Sequence, residues 1–183
     1  MGRSGEKWLL LWITSHPESR VEIKLVAVGC APAAPSWVPD NMFLGRFVHA
    51  LDTKGRLAIP ARFRDDLIAG AVLTRGIDRC LTLYPVDVWK PLAERVSALP
   101  ISDPDARTFR RLVFSAAVNL ELDSQGRILL PPELRAYAAI EREAAVIGVN
   151  TSLEIWAPER WDEVTAQIDL DGAAIAERLA SLI

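Results

Sequence analysis

Apolar and polar positions alternate with a period near two along "FVHAL", Phe47–Leu51, and along "AVNLEL", 117–122. Their β-branched and aromatic content suits strands. An Asp-x-x-Gly-Arg turn follows each, at Asp52–Arg56 and at Asp123–Arg127. Asp can bond the backbone two residues on, and Gly tolerates positive φ. A short apolar run comes next, "RLAI" in the first case and "RILL" in the second. Pro60 and Pro131 then open predicted helices, "PARFRDDLI" and "PPELRAYAAI"; proline suits the first turn of a helix. Two strands follow in each case, "AVLTR" with "CLTLY" and "AAVIGV" with "SLEIW". An amphipathic helix closes each set, over Val86–Leu99 and over Pro158–Ile168. The segment between the sets starts as a loop at Asp103–Pro104 and continues as a helix carrying Arg107, Arg110 and Arg111.

The two sets are an internal repeat. Asp52, Gly55, Arg56, Pro60 and Arg64 match Asp123, Gly126, Arg127, Pro131 and Arg135 at an offset of 71. After one inserted residue, Gly76, Leu81, Tyr84 and Trp89 match Gly148, Leu153, Trp156 and Trp161 at an offset of 72. A half of about 55 residues is marginal as an independent domain, and its strands would leave open edges. Two copies in one chain can close each other's edges. The expected unit is one α+β pseudo-twofold with interleaved hairpins and peripheral helices. Residues 42–100 form its first half, 101–115 a connector, 116–168 its second half and 169–183 a helical tail.

Residues 1–41 do not match the rest. They hold the short apolar run "KWLLLWI", the polar "SHPESR" and the extended, proline-rich "APAAPSWVP". The apolar run is interrupted too soon for a signal peptide. Met42 opens "MFLGRFVHALDTKGR", which reads as the start of the compact domain and as the natural start of the protein. On that reading residues 1–41 are a disordered arm or an upstream in-frame extension.

The chain has 183 residues, half of them hydrophobic, and a net charge of −3. A globally basic nucleic-acid binder is excluded, but the charge is uneven. Between Arg46 and Arg79 seven Lys/Arg face four Asp/Glu; from Glu133 to the end four face ten. A local basic face is therefore available. The two cysteines, Cys30 and Cys80, form no CxxC or Cys/His cluster, which suits a reduced cytosolic protein with no metal. No tract reaches the ~18–20 apolar residues of a membrane span.

Two readings of the repeated turn stay open at this point. Asp-x-x-Gly is ordinary hairpin chemistry, and an Asp–Arg pair can staple it. Alternatively, a projecting hairpin can enter a DNA groove. Arg56 and Arg127 would then contact guanine or phosphate. Asp52 and Asp123 would orient the guanidinium or hold the turn, and Lys54 would meet phosphate. Gln125 replaces Lys54 in the second copy, so the two tips would differ in strength. Arg62 and Arg64 either flank this face or are solvated helix surface. Arg107, Arg110 and Arg111 suit subunit contact, solvent or phosphate. Trp89 and Trp161 are expected as core or interface anchors, and His49 as a strand residue. No Gly-rich phosphate loop, metal cluster or nucleophile elbow supports an enzyme. Asp52 and Asp123 beside arginines would stay ionised, wrong for a general acid. A non-catalytic scaffold, whose hairpins bind a protein partner, is the alternative.

"MFLGRFVHALDTKGRLAIPARFR" and "ELDSQGRILLPPELR…VIGVNTSLEIW" resemble the MraZ family of bacterial proteins over essentially all of Met42–Ile168. The resemblance implies two intertwined swapped-hairpin β-barrel halves, an internal pseudo-dimer related to AbrB/SpoVT-type regulators. It also implies a ring-shaped homo-oligomer and a DNA-binding transcriptional regulator, a repressor of the division and cell-wall gene cluster that includes its own gene. Such a protein would be cytoplasmic and nucleoid-associated. It would bind direct repeats of double-stranded DNA through Asp52, Lys54, Arg56, Asp123, Gln125 and Arg127, with no cofactor, no small-molecule substrate and no membrane partner. Residues 1–41 have no counterpart in the family pattern.

Overall fold

The apolar runs of the repeat become strands and helices. A computed structural model describes residues 42–180. The expectations placed on residues 1–41, including Cys30, lie outside the described residues. β1 spans Phe43–Ala50 and β2 spans Arg56–Ala58. β3, Ala71–Arg75, and β4, Leu81–Pro85, complete the strands of the first half, and α1, Val86–Ser97, closes it. α2 covers Pro104–Phe114; the Asp103 side chain caps it by accepting from Asp105 N at 2.8 Å, an N-cap before proline at the first helical position. The second half is β5 (Val118–Leu120), β6 (Arg127–Leu129), α3 (Pro132–Ala138), β7 (Glu143–Asn150), β8 (Ser152–Trp156) and α4 (Pro158–Leu179).

The sheets are antiparallel throughout and mix the halves. One has six strands in the order β1-β7-β8-β4-β3-β5, and the other pairs β2 with β6. The first strand of each half thus pairs with the third strand of the other, β1 with β7 and β5 with β3. β2–β6 and β4–β8 straddle the pseudo-twofold, with Leu57 opposite Ile128 and Thr82 opposite Glu154. One apolar core runs through both halves: Phe43, Leu57, Phe63, Leu73 and Leu83 meet Ile128, Leu130, Val146, Leu153 and Ile155. A second cluster, Cys80, Ala145, Ile147 and Trp156, lies under Trp161 and Val164 of α4. Neither half could bury these side chains alone.

Three expectations change. The first-half helix is two 3-10 turns, Ala61–Phe63 and Asp65–Leu67, joined at Arg64. Asp65, Asp66 and Phe63 lack the helix propensity that Ala136 and Ala138 give α3, and a segment this short can close with i→i+3 bonds instead. The ladders also shift the repeat within β3 and β7. Leu81 faces Arg75 and Leu153 faces Gly148, so the counterpart of Gly148 is Arg75 and not Gly76. The strand offset is 73, and the shorter β7–β8 turn restores 72. Glycine at 148 is required by β1: an added Cβ would stand 2.4 Å from Phe43 C and Leu44 N. Finally, the closing helix does not stop at Ile168 but runs unbroken through the expected helical tail to Leu179; Ala173, Ala174 and Ala176 carry it past Gly172.

Candidate nucleic-acid interface

Each Asp-x-x-Gly-Arg turn closes on itself by the same set of bonds. Asp52 Oδ1 accepts from Lys54 N and Arg56 N, both at 2.9 Å. Gly55 N donates to Asp52 O at 2.9 Å. In the second copy Asp123 Oδ1 accepts from Gln125 N and Arg127 N, and Gly126 N donates to Asp123 O at 2.8 Å. Gly55 and Gly126 have φ of 78° and 73°, a region that costs an L-residue roughly 1–2 kcal/mol. The side chains then pair: Arg56 Nε donates to Asp52 Oδ2 at 2.6 Å, and Arg127 Nε and Nη2 donate to Asp123 Oδ2 at 2.9 and 2.7 Å.

The two turns lie side by side because β2 pairs with β6. Arg127 Nη1 lies 3.4 Å from Asp52 Oδ2, and Arg56 Nη1 lies 3.5 Å from Asp123 Oδ2. Asp52, Arg56, Asp123 and Arg127 therefore form one cross-paired cluster, not two separate tips. Its formal charge is zero, and each member is about a fifth to a third exposed. The bonds engage all three guanidinium nitrogens of Arg127, but only Nε and Nη1 of Arg56. The Arg56 amide, with the guanidinium behind it, holds the Asp52 carboxyl below the usual range. Arg127, through side chain and amide, brings Asp123 down to about 2. Both stay ionised, as the sequence implies. Lys54 and Gln125 stand exposed on the outer rim of the turns.

Arg64 differs from the expectation of a flanking or solvated residue. It is half-buried, its Nε donates to Ile59 O at 2.9 Å, and it lies against Gly126. Arg135 lies in the same way against Gly55. Each half thus lays one arginine over the glycine turn of the other. The match of Arg64 with Arg135 is the only sign of this in the sequence. Arg62 is exposed, its guanidinium 5.5 Å from the centre of the Phe63 ring.

The remaining candidates take structural places. His49 stands on β1. Trp89 packs on Tyr84 and Phe114, and Trp161 on Trp156. Arg107 Nη1 donates to Ile101 O at 2.7 Å and Ser102 O at 3.0 Å, tying the connector to α2. Burial pushes the Cys80 thiol up to about 12, far from a nucleophile's range. Among the described residues no group of His, Cys, Asp or Glu is placed to hold a metal ion. No helix among them is long and apolar enough to cross a membrane.

The family described as "MraZ protein, putative antitoxin-like" matches the chain twice, over residues 42–112 and 113–182. The chain is 66% identical over 142 residues to a "Transcriptional regulator MraZ" of Thermomicrobium roseum, covering 78% of this chain and all of that protein. It is 52% identical to the protein of the same name from Herpetosiphon aurantiacus, over 76% of this chain and 98% of the relative. The corresponding protein of Desulfitobacterium hafniense is 46% identical, over 77% and 99%.

Proposed function

The chain belongs to the MraZ family, and on that premise we propose that it is a DNA-binding transcriptional regulator, not an enzyme. The observation that carries the reading is the convergence of two Asp-x-x-Gly-Arg turns at one pseudo-twofold. Two arginines and Lys54 meet there on a rigid rim. The bonds from Asp52 and Asp123 fix the guanidinium planes, so little side-chain freedom is lost on binding. Arg56, with Nη2 outside the ion pairs, is the stronger base or phosphate contact; Arg127 is the weaker. Lys54 and Gln125 extend the contact to the backbone, and Arg62 flanks it. Arg64 and Asp123 hold the shape.

One such rim makes few phosphate contacts, too few for tight binding. A ring-shaped homo-oligomer presents several rims to direct repeats, and later contacts become intramolecular. In this reading the interleaved halves are a swapped-hairpin barrel of AbrB type. The protein acts in the cytoplasm on the nucleoid and represses the division and cell-wall cluster that contains its own gene. Its organisation is that read from the sequence, halves at 42–100 and 116–168 joined by 101–115.

Fluorescence anisotropy with DNA from upstream of its own gene tests the reading, at several salt concentrations and beside scrambled DNA. Specific binding should collapse in Arg56→Ala. The ion pairs that engage Arg127 on every nitrogen favour a second reading, in which the cluster is a staple and the rim binds a protein. Equal weak binding to both DNAs, unchanged in Arg56→Ala, would return the cluster to a structural staple and move that reading to the front.

A further inference from the structure

The buried polar side chains of the fold gather at one place. Thr74, Thr82 and Ser152 are the buried polar residues among the described residues, and all of them line one cleft of about 220 Å³ beneath α1 and α2. The strand ladders explain why they meet. Thr82 of β4 stands opposite Thr74 of β3 on one side and Glu154 of β8 on the other, so these side chains leave the same face of the sheet. Tyr84 and Ser152 lie two residues away from them along β4 and β8 and share that face. Arg75 is one residue on from Thr74. Its side chain leaves the other face, where its guanidinium stands 5.0 Å from the centre of the Tyr137 ring. The charge on the cleft floor is therefore that of Glu154, and Asp78 of the β3–β4 loop adds a second acid at the lip.

Glu154 lacks a counter-charge. Its Oε2 accepts from Trp156 Nε1 at 2.9 Å, and none of the ion pairs among the described residues engages Glu154 or Asp78. The fold does not require a carboxylate here: at the repeat offset of 72 the counterpart of Glu154 is Thr82. The negative field reaches the neighbours. Burial first, then the Glu154 and Asp78 charges, push the Cys80 thiol up, and burial with Glu154 behind it raises the Tyr84 hydroxyl. A half-buried carboxylate without a cation and hydroxyls held away from water both cost stability. The walls around them are apolar and aromatic. Trp89 and Leu92 of α1 and Phe109 of α2 line them, and the Trp89 and Tyr84 rings lie 5.8 Å apart. Thr74 donates to Val113 O of α2 at 2.6 Å and fixes that wall. An apolar cleft with a few convergent polar groups has the form of a small-molecule site. Its volume falls below the roughly 300–1,000 Å³ of pockets for drug-sized ligands, so the ligand is small.

We propose that this cleft binds a small organic cation, a primary amine on an apolar body, whose ammonium group pairs with Glu154. The three ammonium donors meet the Glu154 carboxylate and the hydroxyls of Thr82 and Ser152, and the apolar body lies among Trp89, Leu92 and Phe109. The protonated amine supplies the charge that Glu154 lacks, and aromatic rings favour a cation beside them. The ligand is bound and not turned over: the Cys80 thiol at the cleft stays protonated, which makes it a poor nucleophile. The site is independent of the DNA reading and stands or falls without it.

Isothermal titration calorimetry on the full chain tests it with 2-phenylethylamine, its neutral isostere 2-phenylethanol and the anion 3-phenylpropionate. The amine should bind, the alcohol about 10- to 100-fold more weakly, and the anion not at all. Methylamine, which has no apolar body, should give no binding heat. In Glu154→Gln the amide oxygen still accepts from Trp156, so the Tm should hold while the amine falls to the affinity of the alcohol. Leu92→Phe fills the cleft and leaves Glu154 in place; it should lose amine and alcohol together. A wild type that does not bind the amine overturns the proposal. Equal affinity for amine and alcohol overturns it in favour of a purely apolar pocket, and tighter binding of the anion overturns it by bringing Arg75 into the cleft. Amine binding unchanged in Glu154→Gln overturns the site and places the amine elsewhere on the acidic surface.

Discussion

At the scale of single residues, the cluster turns on two glycines and two carboxylates. Gly126→Ala would place a Cβ 2.2–2.6 Å from the Arg64 side chain at a φ of +73°. Arg64 can swing aside, so the expected loss is mostly backbone strain, about 1–2 kcal/mol in thermal or urea unfolding. Gly55→Ala meets Arg135 at 3.0 Å at a φ of +78° and should lose a similar amount, since the backbone strain is the same. The carboxylates set an acid limit. Asp123 titrates at about 2 against an ordinary 3.8, and Asp52 is lowered in the same direction. Below the ordinary value the unfolded chain takes up protons that the folded chain refuses. The stability these groups contribute is whole above pH 3.8 and is lost as the pH falls toward 2. Tm followed by circular dichroism should drop over that window, and Asp123→Asn should flatten the drop. For DNA, Arg56→Ala should weaken specific binding by about 1–3 kcal/mol, more than Arg127→Ala. Titration of both variants on one operator decides the order.

At the scale of elements, the β1–β7 ladder locks the halves together. Gly148→Ala pushes a methyl into the backbone of Phe43 and Leu44, which strands cannot yield without losing their pairing. The expected loss is at the upper end of the roughly 1–3 kcal/mol of overpacking, read as a lower denaturant midpoint. Leu57→Ala removes a fully buried side chain on the pseudo-twofold, at a cost of about 2–5 kcal/mol. β3 and β8 are legible in the sequence residue for residue, since "AVLTR" and "SLEIW" are short runs with β-branched or aromatic residues between turn signals. The two 3-10 turns are not legible: "PARFRDDL" and "PPELRAYA" share the opening proline and the arginine at 64 and 135, and propensity alone is too weak a signal to separate a 3-10 turn from a helix.

At the scale of the whole molecule, the halves share one core, so unfolding should be a single transition with no half-folded state. Calorimetric and van't Hoff enthalpies should agree for the single chain; two resolved transitions would contradict the shared core. DNA binding should be steeply salt-dependent in the assembled protein, and the slope should shrink in Lys54→Ala.

The duplication, the turns, the strands and the family were all written in the order of residues. Turn chemistry is local, and a repeat needs no contacts to be seen. The interleaving of the halves could be argued from exposed edges, but its register could not: the ladder offset of 73 depends on where β7 meets β1 and β8. Only the tertiary structure brought Asp52 to Arg127 and laid Arg64 over Gly126. These partners lie 62 to 75 residues apart, a separation at which sequence pattern carries no distance. Which turn faces which is settled by the pairing of β2 with β6 around a core that both halves must bury together.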